Sequence, residues 1–241
     1  MSDLEREKIE RCKKLLLKNY FDTSIIEIAV NAVDFVEKTH KHLEFLKFGK
    51  WVYIPREWFT DPLTVPDYVF SQFGRELALG EKNYLVQEIL KNDEITTKRI
   101  ETFNYESLVN TLHELRARTD SPILFAPSEY FVPIHVDWSR ELGRLLVEKN
   151  NLLIDNTRVR VFWSSKYADF DKVIVGRRTF GRWVTKPTVR NRLKVEVLES
   201  EKEPDKLELK VQTVFNFRIP NPDHIEVLRV RTHERALKRV R

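Results

Sequence analysis

The residue groupings able to do chemistry are few in this chain, and each falls short of a working set. Gly176 and Gly181 stand at the spacing of the glycines in a phosphate-binding loop, but Arg182 and Trp183 occupy the places where a Lys and a Ser or Thr would grip phosphate and magnesium. The segment reads as a turn between strands. Asp205, Glu208 and Lys210, in PDKLELK, form the Asp and Glu-x-Lys set with which some metal-dependent nucleases work. In those enzymes the Asp lies further upstream, so that both carboxylates reach one metal. Here it falls in a hairpin turn, and Glu208 and Lys210 share the polar face of a strand, which is the pattern of a solvated surface.

His40 and His42 lie two apart in a stretch that reads as helical, which turns them to different faces and away from a shared metal. His135 and Asp137, in IHVDW, have the types of an acid–base pair, yet no nucleophilic Cys or Ser motif accompanies them. A lone His beside aromatics is a packed or capping residue. His113 and His224 carry no pattern at all. Cys12 is the single cysteine, so neither an internal disulfide nor a cysteine metal cluster can form. The expectation is a protein without catalytic, cofactor-binding or metal-binding residues, and not an enzyme.

What the chain does carry is positive charge. The net charge is +5 with 42 Lys and Arg. From Lys172 to Lys194 the chain holds eight basic residues and no acid, and the tail adds Arg229, Arg231, Arg235, Lys238, Arg239 and Arg241 against Glu234 alone. Arg177, Arg178, Arg182, Lys186, Arg190 and Arg192 are the candidate contacts to nucleic-acid phosphates, although basic faces also arise from pairing with acidic neighbours.

The elements that must position these residues are long. With 241 residues, 41% apolar and 11% aromatic, the chain can bury a core, as one large domain or two small ones. No apolar run reaches the roughly 18 residues of a membrane span, and the charged start, Met1 to Lys14, is unlike a signal peptide. The expected location is the cytoplasm or a virion, without secretion. A third of the residues are charged, and Met and Cys occur once each, a composition that leans toward a thermophile.

Leu4 to Lys18 and Ile25 to Leu46 read as helices that need a covering surface, and Gly49 to Phe59 reads as extended. After Pro62 and Pro66, with Asp67 as N-cap, apolar residues recur at helical spacing to about Leu90, a helix of roughly 36 Å. Gly74 and Gly80 inside it allow close helix contact or a gentle bend. Beyond the polar stretch Lys91 to Glu101 come a helix from Asn104 to Arg118, a buried strand from Ile123 to Ala126, and a helical region that is clearest from Ser139 to Lys149. Short strands follow at Leu152 to Ile154, Val159 to Trp163 and Val173 to Val175. The order is α+β.

Leu193 to Leu198 alternates, Ser200 to Lys206 reverses the chain, and from Leu207 to Ile219 the alternation is strict. Thirteen residues give a strand of roughly 43 Å, against a usual 17 to 20 Å. Such a strand either bridges two lobes or two subunits, or runs through one large twisted sheet. Pro220 and Pro222 end it, and Ile225 to Val230 makes a last strand.

From Asp67 to Val230 these residues resemble the major capsid proteins of tailed bacteriophages and the encapsulin nanocompartments that share their fold. The likeness rests on a spine helix at Asp67 to Leu90, the helix Asn104 to Arg118 followed by ILFAP from Ile123, the run LLIDNTRVRV from Leu152 leading to DKVIVGRRTFGRW from Asp171, and the close VFNFRIPNPDHIEVLRV from Val214. The family's long two-stranded loop before the spine helix is reduced here to Lys47 to Phe59.

The resemblance implies a phage-capsid-like fold. A helical N-terminal arm and short extended segment would occupy 1–60. A peripheral lobe of spine helix and long strands would take 61–103 and 184–230, a central lobe 104–183, and a basic tail 231–241. It implies a structural subunit that assembles with copies of itself into a closed icosahedral-type shell, enclosing nucleic acid as a capsid or cargo protein as an encapsulin, with no membrane partner and no cofactor. A metal-dependent nuclease and a basic nucleic-acid-binding protein stand as alternatives.

Overall fold

A computed structural model of the chain describes residues 1–34, 43–61, 66–116, 121–141, 147–148, 151–154, 157–164, 172–185 and 193–231. It contains two compact units: Met1–Ile28 with Ala32–Leu85 and Trp183–Arg218, and Ala29–Asn31 with Val86–Arg182 and Ile219–Arg241.

The first unit is organised by alternation in its longest strand. In β11, Lys206–Arg218, the residues Leu207, Leu209, Val211, Thr213 and Phe215 are buried while their neighbours are half-exposed, as period-two patterning demands. β10, Leu193–Glu199, pairs antiparallel with it from Leu193↔Thr213 to Glu199↔Leu207. β2, Leu46–Pro55, pairs antiparallel from Lys206↔Pro55 to Phe215↔Leu46. With β9, Arg182–Thr185, and β1, Asn31–Asp34, the sheet has five strands in the order β1-β9-β11-β10, with β2 joined to β11. The length of β11 is therefore used inside a single sheet, where it serves three neighbouring strands. Within the chain, all 13 residues of β11 lie in this one sheet of the first unit.

Two helices cover that sheet's inner face. The N-terminal helix, Asp3–Thr23, starts at a capping box in which Ser2 and Glu5 exchange hydrogen bonds with each other's backbone N–H. Its stripe of Ile9, Cys12, Leu16 and Tyr20 joins Phe70, Phe73 and Leu77 of the long helix, Asp67–Lys91, over Leu193, Leu207, Leu209 and Val211. The apolar stripe of this helix is thus covered within its own unit. Gly74 makes the crossing possible, because a Cβ there would stand 2.3 Å from the carbonyl oxygen of Leu16.

One expectation fails here. The helix from Ile25 to Leu46 is instead a short helix, Ile26–Ala29, the strand β1, and the start of β2, with residues 35–42 lying outside the described ones. Asn31–Asp34 hydrogen-bonds into the sheet, and that tertiary pairing outweighs a weak helical periodicity.

The second unit holds a mixed seven-stranded sheet, ordered β3-β12-β8-β4-β7-β6-β5. Its strands are β3 Thr96–Ile100, β4 Pro122–Pro127, β5 Val147–Glu148, β6 Asn151–Ile154, β7 Thr157–Ser164, β8 Val173–Arg177 and β12 Ile225–Val230. β4 pairs parallel with β7, and β12 parallel with β3. The core gathers Leu108 and Leu112 of the helix Tyr105–Glu114 with Leu124, Ile134, Trp138, Val159, Val161, Val173 and Leu228. Asn104 caps that helix, accepting from the backbone N–H of Ser107 at 2.8 Å.

Two further expectations are corrected in this unit. Lys91 to Glu101 is not merely polar connection, since β3 forms the sheet's edge, and an exposed edge strand such as TTKRI needs no apolar alternation. The helix expected from Ser139 to Lys149 is limited to Trp138–Glu141, and Val147–Glu148 pairs as a strand with Leu152 and Asn151. No helix among the described residues is long and apolar enough to cross a membrane.

Candidate assembly surface

The pairing of β2, β11 and β10 fixes which side chains share the sheet's outer face. Leu198, Glu208 and Tyr53 make one row, Glu196, Lys210 and Trp51 the next, and Lys194, Gln212 and Gly49 a third. The aromatic members are exposed, with Trp51 at 57%. Leu198 is exposed as well. Trp51 and Tyr53 lie with ring centroids 5.8 Å apart, and Lys210 Nζ sits 4.9 Å from the Trp51 ring centroid. The ammonium over the indole face holds the ring by cation–π attraction. A groove of about 310 Å³ adjoins this face, lined by Lys47, Gly49, Trp51, Glu196, Lys210 and Gln212.

Charges interleave with the rings. Lys210 pairs with Glu208 at 3.0 Å and Lys194 with Glu196 at 2.7 Å. Paired charges of both signs around exposed Trp and Tyr make a surface suited to another protein surface. The second unit bears its own exposed apolar group in Phe131, Val132 and Val136. There His135 stacks on Phe131 at 3.9 Å between centroids, and its Nδ1 lies 2.8 Å from the Phe131 carbonyl oxygen.

The residues singled out for chemistry are dispersed. Glu208 and Lys210 pair with each other, while Asp205 lies in the hairpin turn, where its carbonyl oxygen accepts from the backbone N–H of Arg56 at 2.8 Å. The nuclease set is therefore not assembled, and no cluster of three metal-ligating side chains occurs among the described residues. His135 is held by Phe131, as a packed histidine would be. Cys12 is buried beside Asp67, and burial, reinforced by that carboxylate, pushes its thiol up to about 11. At that value it stays protonated and unreactive. His40 and His42 lie outside the described residues.

The glycine spacing at 176–181 belongs to a turn, a single 3₁₀ turn at Arg178–Phe180 between β8 and β9. A second such turn, Pro222–His224, meets it. Asn221 Nδ2 donates to the Thr179 carbonyl oxygen at 2.8 Å, and Thr179 Oγ1 lies 3.0 Å from His224 Nδ1. The Asn-Pro close of the sequence is thus a clasp between two turns, and His224, which carried no pattern in the sequence, is part of it.

Of the candidate phosphate contacts, Arg177 and Arg178 are half-buried. Arg178 Nε donates to the Val30 carbonyl oxygen at 3.0 Å. Arg182 is exposed at the start of β9, and Lys186, Arg190 and Arg192 lie outside the described residues.

In sequence, no family model and no curated protein matches the chain. In structure it is similar to a virus-like particle from Pyrococcus furiosus, with a TM-score of 0.63 at 17% identity over 91% of this chain and 98% of that one. It is similar to the capsid of an empty GTA particle, with a TM-score of 0.58 at 11% identity over 86% of this chain and 90% of that one. This is the fold of capsid and encapsulin shell subunits. The encapsulin of the holo-SrpI complex from Synechococcus elongatus PCC 7942 shares it as well, with a TM-score of 0.53 at 12% identity over 76% of this chain and 73% of that one.

Within this shell-subunit fold, the sequence did not single out the Trp51 and Tyr53 face. The signal was present in KWVYIP, where Trp51 and Tyr53 alternate with Val52 and the buried Ile54.

Proposed function

We propose that this chain is a structural subunit that assembles with copies of itself into a closed shell. The observation that carries the proposal is the agreement of fold over 91% of this chain and 98% of a virus-like particle subunit. The exposed Trp51, Tyr53 and Leu198 face supports it, since repeated copies joined by heterologous contacts close into a shell and such faces are where contacts form. In this reading the unit of the long helix and β11 is the peripheral lobe, and the unit of the seven-stranded sheet, which includes β3 and β12, is the central lobe.

The enclosed material is nucleic acid or a cargo protein. The basic excess of the chain favours nucleic acid, and the exposed Arg182 is the first candidate contact among the described residues. Negative-stain microscopy with light scattering tests the assembly. Closed particles of uniform size are expected, and protein that stays monomeric or dimeric at micromolar concentration overturns the reading. Absorbance at 260 nm of the isolated particles then separates nucleic acid from protein cargo.

A further inference from the structure

Glu226, in the second unit, is only 7% exposed, and its Oε1 lies 3.0 Å from Lys98 Nζ. Its other carboxylate oxygen, Oε2, is inaccessible to solvent and has no hydrogen-bond partner among the described residues. Arg177 mirrors it with the opposite charge, for its Nε is equally inaccessible and equally without an acceptor there. Leaving a buried atom of an ionised group unpaired is costly, so each of these atoms calls for a partner.

The strand register brings the two side chains together. In the antiparallel pair of β12 and β8, Glu226 stands opposite Val175, and Ile225 opposite Gly176. Residues two apart on a strand share a face, so Arg177 lies on the face of Val175 and is the diagonal neighbour of Glu226. Diagonal neighbours have Cα atoms roughly 7–8 Å apart, within reach of two long side chains. The face also carries the core residues Val175 and Leu228, a setting in which opposite charges attract more strongly than in water. Lys98, opposite Leu228 on β3, does not satisfy Glu226 alone, because its ammonium is shared with Glu114 at the end of the helix Tyr105–Glu114. Glu114, Lys98, Glu226 and Arg177 thus alternate in sign across one helix and three strands.

We infer that Arg177 is the internal countercharge of Glu226, a structural cation of the sheet and not a contact to nucleic acid. It holds the end of β8 to β12 and so anchors the turn Arg178–Phe180 that leads to the exposed Arg182. A phosphate contact at Arg182 rests on the nucleic-acid reading, whereas the pairing of Arg177 with Glu226 does not.

A double-mutant cycle of the full chain in urea tests the pair. Glu226→Gln and Arg177→Met should each raise the unfolding equilibrium constant, and the double variant should fall on the order of tenfold short of the product of the two effects. A double variant within about twofold of that product, or beyond it, overturns the proposal. Arg177→Lys, which keeps the charge but not the Nε donor, replaces the methionine variant if that one does not fold, under the same criterion. Binding of a DNA oligonucleotide across a salt series is the second measurement. Arg177→Met should leave the slope of log affinity against log salt as in the parent, and a slope shallower by about one makes Arg177 a phosphate contact and overturns the assignment. The cycle is read without reference to assembly, so its failure is distinct from failure of the shell reading.

Discussion

Arg56 Nε donates to Glu5 Oε1 at 2.7 Å, and this one contact fastens the start of the N-terminal helix to the end of β2. The same guanidinium reaches Glu199 Oε1 at 3.1 Å, and the backbone N–H of Arg56 donates to the Asp205 carbonyl oxygen. Glu5 is 3% exposed. The Arg56 hydrogen bond, with help from the Ser2 backbone N–H, holds its carboxyl down at about 2, from an ordinary 4.5.

A depressed carboxyl stabilises the fold while it is ionised, so its contribution is complete above pH 4.5 and drains away as the pH falls toward 2. Melting across that window should show Tm falling in the parent. Glu5→Gln should melt lower at pH 7 and lose less between pH 4.5 and 2. An equally steep fall in both proteins would place the acid sensitivity elsewhere.

Gly74→Ala should destabilise the first unit by about 1–3 kcal/mol, because the added methyl meets the carbonyl oxygen of Leu16 and the backbone nitrogen of Tyr20 rather than a movable side chain. Alanine's helix propensity gains at most about 1 kcal/mol in return. Urea unfolding of the variant measures the difference, and a variant as stable as its parent would mean that the helices do not cross at Gly74.

Trp51→Ala and Tyr53→Ala should leave the subunit folded, since exposed side chains contribute little to stability, and should weaken assembly. Truncating a central aromatic at an interface costs on the order of 2 kcal/mol, or roughly thirty-fold in association. Light scattering across a concentration series would reveal the shift toward free subunits, with circular dichroism unchanged. Full assembly of the double variant would remove this face from the interface.

Asn221→Ala removes the donor to the Thr179 carbonyl oxygen and should cost the second unit about 1 kcal/mol, the net worth of one such hydrogen bond. Chemical denaturation monitors the loss. Asn221→Asp should fare no better, because a carboxylate cannot donate to a carbonyl.

Much of this architecture was legible in the residues. β11 and β12 were readable because period-two alternation and the prolines at 220 and 222 are local signals. The long helix was readable because its apolar spacing persists over seven turns. β1 was not, because Asn31–Asp34 is strand only by virtue of the sheet it joins, and β3 was not, because an edge strand carries no apolar face to betray it.

The sequence by itself determined the two faces of the long strand and the course of the long helix, both of which follow from the period of neighbours along the chain. Only the tertiary structure decided which aromatics are core and which are surface. Trp183 is buried against Phe215, with centroids 3.9 Å apart, whereas Trp51 faces outward on the same sheet. Both are tryptophans among basic residues, and burial depends on what distant segments lay over them.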